Sequence, residues 1–433
     1  MFRAKERPRL ALALLTAIGV VGFIDRIIMN VLVQPLKAEF SLSDKEIGLL
    51  NGLAFAALNV VLGIAVARLA ERKHRISLIA IGTLFWSVAT AACGMAGTMV
   101  QLLLARIGVG VGEAVGLPST SSVVSDYFPR EKRATAISIL NLATPIGAFI
   151  GATGGALIAQ IYGWRYAFLV AAIPGVILAA ALILLIAEPE RGGRDAGGAA
   201  GEVPPLSAVL KRYWQWPTMR HMLIGATIAG MVGFGLNSFL AAYLTRRYGF
   251  SLVEAGAVAG LVASLPAAIS ITAAGWISDR LALRGNRRGY ALLPAITLLV
   301  SAPLYAFAIT RENATLLVVL VALCALIQFT YLGPTAGTFQ NMLSPRMRAT
   351  GTAFTGMIYT LISGGFGPLL LGAVSDHFAA SGIEPGVALG LAMAGMALLY
   401  VWAALHFALA SRTIEADLAR LLDHPVDLDR PRP

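Results

Sequence analysis

Charge is scarce in this chain, and that scarcity excludes most soluble proteins. Only 13% of the 433 residues are Asp, Glu, Lys or Arg, while 57% are hydrophobic and the mean hydropathy is +0.75. An ordinary soluble domain carries about 25% charged residues. A chain this poor in charge would aggregate in water, so the solvent it is built for is lipid. Cysteine is nearly absent as well. Cys93 and Cys324 fall inside apolar stretches in opposite halves, which argues against a disulfide framework and leaves two small buried hydrophobes. The five histidines, His74, His221, His377, His406 and His424, are expected at solvated helix ends or in the tail. No His, Cys and carboxylate cluster has metal-ligand spacing, and the Ser119 to Ser122 run has no histidine in reach. Neither an enzyme nor a metal or cofactor is therefore expected, and no soluble signalling domain is present to suggest a receptor.

What the chain does have is about a dozen apolar stretches long enough to cross a bilayer, each needing about 20 residues. Approximate helices run 10–34, 46–70, 76–97, 98–125, 134–161, 164–187, 217–246, 251–279, 288–310, 314–342, 347–378 and 383–410. The run from Leu10 is too long for a signal-peptide core and reads as a retained helix. The expected fold class is an all-α polytopic membrane protein with 12 transmembrane helices in two six-helix bundles. Residues 1–187 form the first bundle, 188–216 a cytoplasmic linker, 217–411 the second bundle and 412–433 a cytoplasmic tail, partly disordered. The Gly-rich core of the linker, 192–202, is flexible in composition. Leu206 to Trp216 reads as a short interfacial helix with Tyr213, Trp214 and Trp216 at headgroup level.

The net charge of +11 is a matter of topology. Lys and Arg number 26 in the loops on the N-terminal side and 6 on the other. This bias puts both termini in the cytoplasm of a cell with an inner membrane. A nucleic-acid binder would gather its basic residues on one soluble domain, so no nucleic-acid partner is expected. The lipid bilayer is the surrounding partner, and the chain is expected to act as a monomer.

Four charges then stand out inside the spans: Asp25 and Arg26 in the first, Arg106 and Glu113 in the fourth. Ionisable groups at such depth are costly and are a functional-site hypothesis by default. Arg106 and Glu113, seven residues apart, share a helix face at a separation of about 10 Å. Asp25 and Arg26 diverge by about 100°, so one is expected to face helix four and the other the cavity. Burial and a neighbouring guanidinium act oppositely on a carboxyl group, which makes Asp25 and Glu113 candidates for proton coupling. Arg26 and Arg106 are candidates for an anionic headgroup. The alternating Gly108, Gly110 and Gly112 permit close helix approach, and Gly147, Gly151 and Gly155 form a packing face. The second bundle has no comparable charges; Phe234, Asn237, Phe239, Tyr243, Gln328, Tyr331, Phe354 and Tyr359 are its cavity candidates, of which Asn237, Gln328, Tyr331 and Tyr359 are the polar substrate contacts.

The halves also repeat. The Gly63 segment after helix two matches the Gly275 segment after helix eight at an offset of 212, and Arg133 matches Arg348 at 215. This pattern resembles the major facilitator superfamily over essentially the whole chain, which implies a substrate site near the midplane. Its loop motif keeps Gly275, Asp279 and Arg280 in the second half; the first half has Ala67 in place of the acid, with Arg68 retained. The resemblance implies a gating role for Arg68, Asp279 and Arg280. The Asp-Arg of helix one with the Arg-x-x-x-Gly-x-Gly-Glu-Ala of helix four resembles the spinster family of lipid transporters. That implies a carrier of lysophospholipid or sphingoid amphiphiles by alternating access, in several members proton-coupled. A charged wall opposite a greasy one suits an amphiphile better than a sugar. A proton-coupled symporter of small organic anions such as sugar acids, a multidrug exporter and a scramblase-like conduit stand as alternatives.

Overall fold

The computed structural model describes residues 7–62, 74–190, 205–344 and 347–423. Arg68, with the rest of its loop motif from Gly63 to Lys73, lies outside the described residues, as do most of the Gly-rich linker and the end of the tail. Among the described residues the extended regular elements are all helices. In chain order they are α1 (Pro8–Val31), α2 (Val33–Phe40), α3 (Asp44–Leu62), α4 (Arg75–Met95), α5 (Met99–Glu113), α6 (Gly116–Tyr127), α7 (Arg130–Asn141), α8 (Ala143–Tyr162) and α9 (Trp164–Leu185). After the linker come α10 (Leu206–Gln215), α11 (Pro217–Tyr248), α12 (Leu252–Leu283), α13 (Gly289–Ile309), α14 (Ala314–Gln328), α15 (Leu332–Met342), α16 (Arg348–Ile358), α17 (Gly367–Ala380) and α18 (Pro385–Asp423).

Local chemistry sets many of these ends. Ser43 and Glu46 close a capping box at the start of α3. Thr98 and Asn313 accept from the third backbone amide of α5 and α14. Gly163, at φ +94°, turns the chain between α8 and α9 in a conformation that a side chain would disfavour.

Among the described residues, eleven helices are long and apolar enough to cross a membrane. The missing crossing is the fourth, split into α5 and α6 at Ala114 and Val115. Its counterpart in the second half, α14 with α15, is split at Phe329 to Tyr331, an offset of about 215 that matches the sequence repeat. Two π-helical turns, Leu49–Leu53 inside α3 and Tyr359–Phe366 between α16 and α17, are further interruptions. Such turns are rare and favour functional sites.

The described helices gather into two compact units. One comprises Met1–Gly198 with Asn237–Ser264 and Pro368–Ala373; the other comprises Ala199–Leu236, Leu265–Gly367 and Val374–Pro433. In the first unit, α1 lies on the glycine face of α8. A methyl group on Gly147, Gly151 or Gly155 would stand 2.5–2.9 Å from Phe23, Ile24 or Ile28, so only glycine admits α1 this closely. That contact fixes the rotation of α1 and with it the direction of Asp25 and Arg26. In the second unit α13 packs along α18, burying Tyr305, Ala302, Tyr400 and Phe407.

Two expectations need correction here. The last helix does not stop near 410 but runs to Asp423. Asp417 accounts for the extension: its Oδ2 accepts from the Thr218 amide and hydroxyl at 3.1 and 2.7 Å, tying it to the start of α11. Consequently His406 is not at a helix end. Its Nδ1 lies 3.0 Å from that of His221, and the rings stack at 5.2 Å. Tyr213, in the expected interfacial helix, turns its ring into the protein between Phe339 and Phe354.

Candidate functional site

The four intramembrane charges come together in the first unit. Arg26 of α1 meets Glu113 of α5 through two contacts on Oε2, from NH2 at 2.5 Å and Nε at 2.7 Å. The Arg26 side chain is 40% exposed, whereas that of Glu113 is 5%. The pair is therefore a buried carboxylate capped by a reachable guanidinium. Two rings of the same unit support that guanidinium, Phe55 at 4.7 Å and Phe23 at 5.3 Å.

Asp25 points elsewhere. It is 1% exposed, and its Oδ2 accepts from Thr90 of α4 at 3.0 Å. Arg106 is equally enclosed; its NH1 donates to the backbone oxygen of Asp25 at 3.3 Å, and its guanidinium lies 5.9 Å from the Phe55 ring. The expectation that one of Asp25 and Arg26 would face helix four and the other the cavity is thus replaced. Arg26 meets helix four and is the more exposed of the two, and Asp25 turns to α4, because the glycine contact with α8 sets the α1 face. Asp25 Oδ1, Glu113 Oε1, Arg106 Nε and Trp86 Nε1 are buried without a hydrogen-bond partner among the described residues.

A polar row leads away from the pair along α1 into α2, with Arg26 and Asn30 four residues apart on one face of α1 and Gln34 in the first turn of α2. Asn51 of α3 donates to Asn30 at 3.2 Å. Beyond it Asp44 accepts from Arg246 NH1 and NH2, each at 2.7 Å, and from Lys37 at 2.6 Å. With its amide oxygen turned inward, Gln34 accepts from Arg246 as well. Sequence reading missed this clamp because it counted Lys37 and Arg246 only as loop charges and did not consider Asp44. The Ser43 cap before Asp44 was the available signal, since it shows a helix beginning there.

A second cluster joins the opposite ends of the first-unit helices. Arg75 binds Asp126 at 2.5 Å, Glu188 at 2.6 Å, Ser122 at 2.8 Å and the Pro189 carbonyl at 3.0 Å.

The remaining candidates are more dispersed. Gln328 is buried and accepts from Tyr400 at 3.0 Å. Tyr331 is buried at the break between α14 and α15; Tyr359 begins the π-helical turn, half-buried, with a hydroxyl that has no partner among the described residues. Asn237 is half-buried and falls in the first unit, as does Tyr243. Phe239 and Tyr243 are buried, whereas Phe234 is exposed. Asp279 accepts from Tyr290 at 2.6 Å, and Arg280 lies 5.1 Å from the Trp276 ring, both at the end of α12.

The family model described as Major Facilitator Superfamily matches residues 14–368. Among curated relatives, an MFS-type efflux pump of Mycolicibacterium smegmatis is 30% identical over 408 residues, covering 92% of this chain and 90% of that protein. A probable L-galactonate transporter of Escherichia coli is 27% identical over 295 residues, 65% of this chain and 64% of that protein. Among solved structures, a bacterial homolog of the human lysosomal transporter spinster, crystallised inward-facing and unoccupied, superposes with a TM-score of 0.86. It is 29% identical and covers 95% of this chain and 98% of its own.

Proposed function

The chain belongs to the major facilitator superfamily, and from that premise we propose that it carries an amphiphilic lipid, of lysophospholipid or sphingoid type, by proton-coupled alternating access. That it is a multi-pass membrane transporter resembling spinster, not an enzyme, follows from the family. The observation that carries the finer reading is the asymmetry of the Arg26–Glu113 pair. An anionic headgroup can reach Arg26 but must compete with Glu113 for it. Protonating Glu113 removes the competitor, so proton and anion favour each other's binding, and by linkage the effect is reciprocal. Glu113 is the proton carrier in this scheme and Arg26 the headgroup contact. Asp25 and Arg106, sealed against one another, hold the local charge balance.

Asn237, Gln328, Tyr331 and Tyr359 are assigned to the substrate, with weakly polar groups among apolar neighbours suiting an acyl chain better than a sugar. Asp279, Arg280 and Arg68 are assigned to gating at the basic side of the membrane, and the buried Asp44–Arg246 clamp to gating at the other. The Lys and Arg bias supports cytoplasmic termini, and we take the chain as a monomer in the inner membrane.

The test is uptake of a labelled lysophospholipid into proteoliposomes, with and without a pH gradient, against a sugar acid as competitor. Gradient-driven lysolipid uptake that the sugar acid does not inhibit supports the proposal. Uptake of the sugar acid in its place would favour the organic-anion reading, towards which the L-galactonate relative points. Export of unrelated drugs would favour the efflux reading.

A further inference from the structure

We propose that α10 is a binding surface for an anionic bilayer leaflet: its exposed apolar strip enters the leaflet while the basic side chains beside it meet lipid phosphates. Successive residues turn about 100° around a helix, which divides α10 into four strips, of which Ala208 and Arg212 make one beside the buried strip. Val209 and Tyr213 make the buried strip. Tyr213 packs edge-on against Phe339 and Phe354, centroids 5.0 and 5.3 Å away, and its hydroxyl meets the Gly351 carbonyl and Thr355. Leu206, Leu210 and Trp214 make the adjoining strip, with exposures of 44%, 39% and 65%. Ser207, Lys211 and Gln215 lie on the polar side. A helix with a docked strip, an exposed apolar strip and a polar strip in that order fits the meeting of protein, hydrocarbon and water.

The neighbouring helix α11 fixes the level of α10. Trp216 alone separates α10 from Pro217, the first residue of α11, a helix of membrane-spanning length. Hence α10 lies where α11 leaves the bilayer, the depth that tryptophan prefers. Lys211, Arg212 and Arg220 fall in a stretch from Val203 to Val253 with no Asp or Glu, and Asp417, which reaches the start of α11 from α18, is buried against Thr218. Arg220 donates to the Trp214 carbonyl at 3.4 Å and lies 5.9 Å from its ring, and Arg212 lies 4.3 Å from the Trp216 ring. Cations held beside interfacial rings stand at phosphate depth and attract anionic lipid. Since Tyr213 binds α10 to α15 and α16, lipid seated there holds those helix ends at the leaflet.

The test uses full-length protein in vesicles of phosphatidylglycerol and phosphatidylcholine, with bromine on the acyl chains of one lipid or the other. Trp214 emission is obtained as the difference between wild type and Trp214→Phe, since five other tryptophans remain. Expected is quenching by both brominated lipids, several-fold stronger from phosphatidylglycerol, with that preference lost in the Lys211→Gln/Arg220→Gln variant. Quenching only by aqueous iodide would overturn the membrane seat. Equal quenching by the two lipids would overturn the anionic preference. Neither outcome bears on lysolipid uptake, so the two proposals fail separately.

Discussion

Asp44 holds Arg246 through both carboxylate oxygens although 202 residues separate them in sequence. The fork-on-carboxylate geometry is the strong form of an ion pair, and Lys37 brings a second cation to the same carboxylate. Both partners are nearly out of water, so removing one strands the other. Arg246→Ala is expected to cost about 3–5 kcal/mol, the range for breaking a buried pair. The reversed pair, Asp44→Arg with Arg246→Asp, should recover part of that loss. Thermal melting in detergent reads both effects, and an unchanged melting curve for Arg246→Ala would show that the clamp contributes nothing to the folded state.

The two buried acids make separable predictions. Glu113→Gln keeps the shape of the side chain but cannot be ionised, so Arg26 loses its competitor permanently. Lysolipid uptake in this variant should no longer respond to a pH gradient, while counterflow exchange persists. Asp25→Asn should lower the rate yet retain the pH response, because Asp25 faces Thr90 and not the exposed guanidinium. The opposite pattern would move the proton from Glu113 to Asp25.

Much of the architecture was legible because hydropathy and spacing report directly on lipid burial. The spans, the internal repeat and the four intramembrane charges needed only the sequence. The partners of those charges did not follow from it. Whether Arg26 or Asp25 faces helix four depends on the rotation of α1, and that is set by its contact with Gly147, Gly151 and Gly155 of α8. The Asp44–Arg246 clamp was hidden for a different reason, since loop position says nothing about burial. The packing of Tyr213 was hidden as well, because its partners Phe339 and Phe354 lie more than 120 residues away in sequence.

Outside the membrane, Glu39 gives a pH prediction with a definite sign. It accepts from the Arg165 guanidinium at 2.6 and 2.7 Å and from the Trp164 indole at 2.6 Å. These hydrogen bonds, that from Arg165 foremost, hold its carboxyl below the ordinary value of 4.5. A depressed folded-state pKa means stability that is fully present above 4.5 and lost as pH falls through the folded value. The pair is well exposed, so solvent screening keeps the effect small. Wild type should lose melting temperature on acidification below 4.5, and Glu39→Gln should lose less over the same window. Parallel acid limbs in the two proteins would show that Glu39 carries no linkage.

Asp417 ties the end of the last helix to the start of α11, and the tie can be cut in two grades. Pro217 has no amide hydrogen, so Thr218 presents the first donor of α11, and Asp417 accepts from both its amide and its hydroxyl. Asp417→Ala leaves those buried donors without that acceptor and should cost about 2 kcal/mol, the upper range for a helix cap and the middle for a charged hydrogen bond. Asp417→Asn retains a carbonyl oxygen and should cost about half as much. The more specific readout is hydrogen exchange of the α18 extension, 411–423. If Asp417 holds that extension, its amides should exchange faster in Asp417→Ala while the apolar part of α18 stays protected. Unchanged exchange in the extension would assign its helicity to its own sequence and not to the tie with Thr218.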